Sequence, residues 1–155
     1  MSNQIRTFKD LECWKKAREI RLFVKEILSS VPKNEQFDLN DNMRRAARSC
    51  TRNIAEGYGR FHFQENIQFC RISRGSMFEI WDDLITCLDE KYITEQKFTD
   101  GEILIQDGIK ILNGYIHYLE KAKGSVNTSS GSITNEPEEI YGLISKFPDE
   151  PNVIT

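Results

Sequence analysis

Apolar positions recur at steps of three and four through most of this chain, the spacing that lays side chains along one face of an α-helix. Leu11, Trp14, Ala17, Ile20, Val24, Ile27 and Val31 mark a first helix. Thr7 or Asp10 can accept from its free amide groups, and Val31-Pro32 is expected to end it, because proline disfavours α geometry at the preceding residue. After a loop over 33–37, Asp38 or Asn40 is placed to cap a second helix with the stripe Met43, Ala47, Cys50 and Ile54. Gly57-Tyr58-Gly59 is expected to stop that helix, since glycine suits the left-handed turn at a helix C-terminus.

The next two stripes alternate steps of four and three without a slip. Phe63, Ile67, Cys70, Arg74, Met77, Trp81, Leu84 and Leu88 form one; Phe98, Gly101, Ile105, Gly108, Leu112, Tyr115, Leu119 and Ala122 form the other. This is the seam of bundle packing, in which helices cross at about 20°. The links at 60–62 and 91–93, the latter followed by Thr94 as a cap, are short enough to make sequential helices antiparallel neighbours. The predicted fold is all-α, an antiparallel up-down-up-down four-helix bundle over residues 1–123. The remainder, 124–155, opens with Gly, Ser, Thr and Asn in the manner of a flexible linker. It closes with a short acidic peptide in which Ile140, Leu143, Ile144 and Phe147 would share a face.

Composition narrows the class. Of 155 residues 39% are hydrophobic and 29% charged, which fits a globular domain and excludes a disordered one. No apolar run approaches the roughly 20 residues of a membrane span, and the N-terminus lacks the apolar core of an export signal. Cys13, Cys50, Cys70 and Cys87 are widely spaced with no C-x-x-C pair. They read as reduced thiols, and the expected location is the cytoplasm.

The net charge of −3 conceals an uneven distribution. Residues 42–74 carry seven arginines and two acids, whereas 75–123 carry five lysines and ten acids. Within the basic segment, Arg44, Arg48 and Arg52 stack at i, i+4 and i+8 opposite the core stripe, with Arg45 beside them. Like charges at that spacing repel, and phosphates or the carboxylates of a neighbouring subunit would relieve the repulsion. The competing reading is a solvated outer face. For Arg44 and Arg45 a structural ion-pair role also competes with nucleic-acid contact. Arg74 falls at a seam position, where a guanidinium needs a partner; Glu56 and Glu79 are the candidates, and Gly75-Ser76 would let another helix approach. Glu56 also lies four residues from Arg60, so Arg44, Arg45, Glu56, Arg60, Arg74 and Glu79 are expected to form an ion-pair cluster.

The inventory for catalysis is thin. Neither His62 nor His117 follows a Glu at the Glu-x-x-His spacing of bundle di-metal sites, since Gly59 and Gly114 stand there. No nucleophile elbow, phosphate-binding loop or zinc spacing occurs. No catalytic residue, metal ligand, cofactor or small-molecule substrate is assigned, and the chain is not expected to be an enzyme.

Several words of the sequence resemble one family. They are FKDLECWKKA at 8–17, Pro32, Glu35, Phe37 and Leu39 in the following turn, RRAA at 44–47, NIAEGYGR at 53–60 and RGS at 74–76. In this order they resemble the four-helix-bundle proteins encoded in intervening sequences of bacterial large-subunit ribosomal RNA genes. Asp38 replaces the family's usual Gly, Thr51 replaces a frequent Pro, and Arg48 and Arg52 are not family features. The resemblance implies a ring-like homo-oligomer, a pentamer, without catalytic activity. It extends distantly to the accessory variability determinant of diversity-generating retroelements, a pentameric bundle that binds RNA and a reverse transcriptase.

Two functions therefore stand open. One is a homo-oligomeric scaffold that binds RNA or other nucleic acid through Arg44, Arg45, Arg48, Arg52 and Arg60; the other is a protein-interaction scaffold, for example for a reverse transcriptase. Apolar residues also lie off the seams, among them Phe23, Phe69, Phe78, Ile80 and Ile109, and some of them are expected at subunit contacts.

Overall fold

The computed structural model describes residues 5–128. Four helices follow one another: α1 (Glu12–Leu28), α2 (Leu39–Gly59), α3 (Phe63–Asp89) and α4 (Glu95–Thr128). Each packs against the next and α4 closes back on α1, giving the antiparallel four-helix bundle. Its core runs along the axis through Ile20, Val24, Met43, Cys50, Ile54, Met77, Leu84, Ile105, Leu112 and Leu119, all at most 1% exposed.

The ends of the helices differ from the sequence reading in instructive ways. Asp10 does cap, but it caps a 3-10 turn over Phe8–Asp10, where its carboxylate accepts from the amides of Arg6 and Thr7. Helix α1 stops at Leu28, ahead of the Val31-Pro32 signal, as the amides of Ser29 and Ser30 turn back to Glu26 and Ile27 and the Ser29 hydroxyl donates to the Glu26 carbonyl. Asp38 occupies the N-cap position of α2 without a side-chain hydrogen bond, and Asn40 is buried within the first turn. At the far end α2 does stop at Gly59, but no glycine there adopts positive φ; the left-handed residue is Phe61, at 51°. Thr94 caps α4, accepting from the Lys97 amide. That helix continues through 124–128, where a linker was expected, because extending an existing helix over Gly and Ser costs far less than nucleating one. Residues 129–155, including the acidic peptide, lie outside the described residues.

The seam of α3 is also displaced. Cys70, Ser73, Met77, Ile80, Leu84 and Cys87 are fully buried, while Phe63, Arg74, Trp81 and Leu88 are only half-buried. Ser73 was missed because a hydroxyl does not register as apolar, and Ser76 was expected only to let a helix approach, yet both fasten α3 to α2. The Ser73 hydroxyl donates to the Cys50 carbonyl at 2.7 Å, and Ser76 Oγ lies 2.7 Å from Ser49 Oγ. Ser49 in turn receives the amide of Asn53. Small residues let the helices close up: a Cβ on Gly101 would meet the Phe23 ring at 2.6 Å, and one on Gly108 would meet Ile20 Cδ1 at 2.6 Å. Much of NIAEGYG and RGS is therefore packing vocabulary.

Candidate nucleic-acid interface

Helix α2 presents Ala46, Ala47, Cys50, Thr51, Asn53 and Ile54 inward, and this burial turns Arg45, Arg48 and Arg52 outward. The result follows from the 100° step alone. Arg44 sits at the margin, half-buried, and points towards the same side. Together with Asp41, Asn42 and Phe37 the four arginines line an open hollow of about 510 Å³ on the surface. One carboxylate against four guanidiniums leaves that lining with a formal charge of +3.

The partners of these arginines decide what the hollow can do. Arg44 Nη1 makes a 2.9 Å ion pair with Asp41, one turn back, and both side chains are about half exposed. Arg45 Nη2 donates to the amide oxygen of Asn42 at 2.6 Å, which leaves its charge uncompensated. Arg48 and Arg52 have no side-chain partner among the described residues. Arg21 on α1 adds a further cation nearby: its Nη1 donates 2.8 Å to Thr51 Oγ1, between Arg48 and Arg52 in sequence. Thr51, where a proline is frequent in the resembling family, thus supplies a hydrogen bond within an uninterrupted helix.

Arg60 is not part of this hollow. It lies eight residues beyond Arg52, about 12 Å along the helix axis. Its Nη2 is held 2.9 Å from Glu56, and its guanidinium covers the Phe69 ring at 5.2 Å. Arg74 reaches Asn113 on α4 at 2.7 Å, not Glu56 or Glu79. Glu79 is exposed on α3. The six residues expected to form one ion-pair cluster are thus distributed over separate local contacts. The physical reason is the displaced seam: Arg74 emerges at the α3–α4 edge, where an amide satisfies it and no burial demands a carboxylate.

A second hollow, about 350 Å³, lies between the start of α3 and the end of α4 and is lined by Gln64, Ile67, Arg71, Glu120, Lys123 and Gly124. There two cations face one carboxylate, a formal charge of +1, with Arg71 3.2 Å from Glu120 and Lys123 donating to Gln64. It holds no comparable excess of charge.

All four cysteines are free and buried. Burial pushes the Cys50 thiol up to about 12, helped by the charge of Glu79, and burial alone does the same to Cys70. Cys87 rises to about 11, through burial first and then Asp83 and Glu35. His62 is the N-cap of α3, its Nδ1 accepting from the Glu65 amide at 3.4 Å. Among the described residues no group of His, Cys, Asp and Glu is arranged to hold a metal ion, and no helix is long and apolar enough to cross a membrane.

Two residues of this surface were given no part in the basic face by the sequence, although Phe37 stands among the family words. Arg21 directly follows Ile20 of the α1 stripe, about 100° round the helix, and looked like any solvated arginine. Phe37 is 82% exposed, the most exposed large apolar side chain described. Its signal was an isolated aromatic within the polar run Lys33-Asn34-Glu35-Gln36 and Asp38.

The comparison with known families agrees with the geometry. The model of a family described as 23S rRNA-intervening sequence protein matches residues 9–114. The match spans well over half of the chain and the motif words of the bundle from Lys9 onward, and the chain belongs to that family. No curated protein matches the sequence.

Proposed function

We propose, on the premise of that family membership, that this chain is a non-enzymatic homo-oligomeric scaffold that binds RNA through the outer face of α2. The observation that carries the reading is the unpaired state of Arg48 and Arg52 beside an Arg45 that has only an amide partner. Surface cations on a helix ordinarily cost little when carboxylates sit one turn away, as Asp41 does for Arg44. Three uncompensated guanidiniums on one face repel each other, and a chain of phosphates would neutralise them with forked, charge-assisted hydrogen bonds. The excess charge is local, so it concentrates anions at this face even though the chain as a whole is acidic.

Self-association is supported by the outer face of α3, where Ile72, Phe78 and Ile85 are each at least 41% exposed around a bare Gly75 that has nothing within 4 Å. A ring of subunits packed through this apolar strip, a pentamer by the family resemblance, would multiply the basic faces. The same strip also favours the second reading, docking of a protein partner such as a reverse transcriptase. This reading supposes a cytoplasmic setting, and no membrane or small-molecule partner enters it.

The test is a fluorescence-anisotropy titration with single-stranded and structured RNA across a salt series. Three phosphate contacts at about −0.7 each predict a slope of log K on log salt near −2 per engaged subunit, or about 20-fold weaker binding at 200 mM than at 50 mM salt. Absence of salt-sensitive binding would leave the protein-scaffold reading in possession.

A further inference from the structure

We infer that the α2 face takes unpaired RNA, with Phe37 stacking on an unstacked base while Arg45, Arg48 and Arg52 hold the flanking phosphates. This deepens the RNA-binding reading above and rests on it.

Phe37 is held out, not loose. The loop before it is a 3-10 turn over Lys33–Glu35, closed by the Glu35 amide on the Pro32 carbonyl and the Gln36 amide on the Lys33 carbonyl. Glu35 is pinned from across the bundle, its Oε1 accepting from the Tyr92 hydroxyl at 3.0 Å. On the other side Leu39 is 7% exposed and anchors the start of α2. Between these two fixed points the ring stands in solvent, where its apolar area contributes nothing to the stability of the single chain.

The ring shares its hollow with the four arginines, Asp41 and Asn42. An aromatic face beside a row of uncompensated cations is the combination that binds single-stranded nucleic acid: the base gains a stacking partner and the backbone gains counter-charges. Asp41 and Asn42 add an acceptor and an amide within reach of a base edge. A duplex presents phosphates but keeps its bases stacked on each other, so only an unpaired strand satisfies both halves of the site. A second copy of the chain fits less well. Covering Phe37 with protein would take Arg45, Arg48 and Arg52 out of water at the same time, and interface cores are depleted of charge.

The experiment uses the full chain and three labelled probes: a short single-stranded RNA of mixed sequence, the same strand annealed into a duplex, and an abasic strand with the same number of phosphates. Wild type is expected to bind the single strand more tightly than either of the others. Phe37→Ala is expected to lose about 5- to 150-fold on the single strand, the 1–3 kcal/mol of a base–aromatic stack converted at 1.4 kcal/mol per tenfold. It should leave duplex binding and the salt slope unchanged, and Phe37→Trp should retain affinity. If wild type binds the single strand with a steep salt dependence and Phe37→Ala binds it equally, the stacking inference is overturned while RNA binding stands. If wild type binds none of the probes, the RNA reading itself fails. A lower assembly mass for Phe37→Ala in light scattering would make Phe37 a subunit contact and overturn the inference from that side.

Discussion

Gly57 and Asn66 bring α2 and α3 closer than any side chain at position 57 would permit. A Cβ built on Gly57 would stand 2.8 Å from Asn66 Oδ1 and 3.2 Å from its Cα, with Phe69 Cβ at 2.9 Å. Asn66 is completely buried, and its amide reaches the Tyr115 hydroxyl on α4 at 3.1 Å. The glycine of NIAEG is thus a spacer that lets one buried amide tie α3 to α4 at the end of the bundle.

Gly57→Ala should therefore destabilise the protein by about 1–3 kcal/mol, as overpacking against backbone does, despite alanine's better helix propensity. Gly114→Ala is the control. It lies within α4 with nothing within 4 Å, and should gain up to about 1 kcal/mol. Chemical denaturation of both variants checks the pair, and a stabilised Gly57→Ala would contradict the close approach.

Asp83 carries the one pH-dependent prediction. Burial, together with the charges of Asp82 and Glu79, pushes its carboxyl up from 3.8 to about 6. A raised acid favours the protonated form in the folded state, so its contribution to stability is present below 3.8 and is lost as pH rises through about 6. Asp83→Asn should raise Tm at neutral pH. Its advantage over wild type should be absent near pH 3.8, grow towards pH 6 and then level off. Thermal scans over that range measure the difference, and a constant offset at every pH would contradict the assignment.

The proposed assembly rests on the apolar outer face of α3. Light scattering coupled to gel filtration should give a mass above the 18.1 kDa of one chain. Phe78→Asp should lower that mass without unfolding the bundle, since Phe78 is 50% exposed and stacks only on Trp81 at 5.9 Å. A monomer at micromolar concentration would remove the ring.

What the sequence displays of this molecule, and what it hides, follows from which interactions leave a periodic trace. The four helices were legible because their buried faces repeat every three to four residues, and Met43, Cys50 and Ile54 lie where the stripe puts them. Ile80 lies off the expected seam of α3, yet the seam runs through it and it is fully buried. Phe23, likewise off the expected seam of α1, packs over Gly101 within the bundle. The outward arginines of α2 were legible from angle alone. Their partners were not, since whether Arg74 meets Glu79 or Asn113 depends on the rotation of two helices against each other. Phe37 was legible only as part of the family turn; its place beside the arginines was not, because a loop residue has no period to stand out from.

The central claim is that Arg48 and Arg52 contact RNA phosphates, and the most direct measurement is the double variant Arg48→Glu/Arg52→Glu titrated beside wild type at two salt concentrations. Both side chains are outside the core and free of partners within the described residues, so the variant should fold, with an unchanged circular dichroism spectrum. Wild type should bind single-stranded RNA with the steep salt dependence of released counterions, and the variant should show no measurable binding at either salt. Equal binding by the folded variant would contradict the claim and place the RNA elsewhere on the bundle.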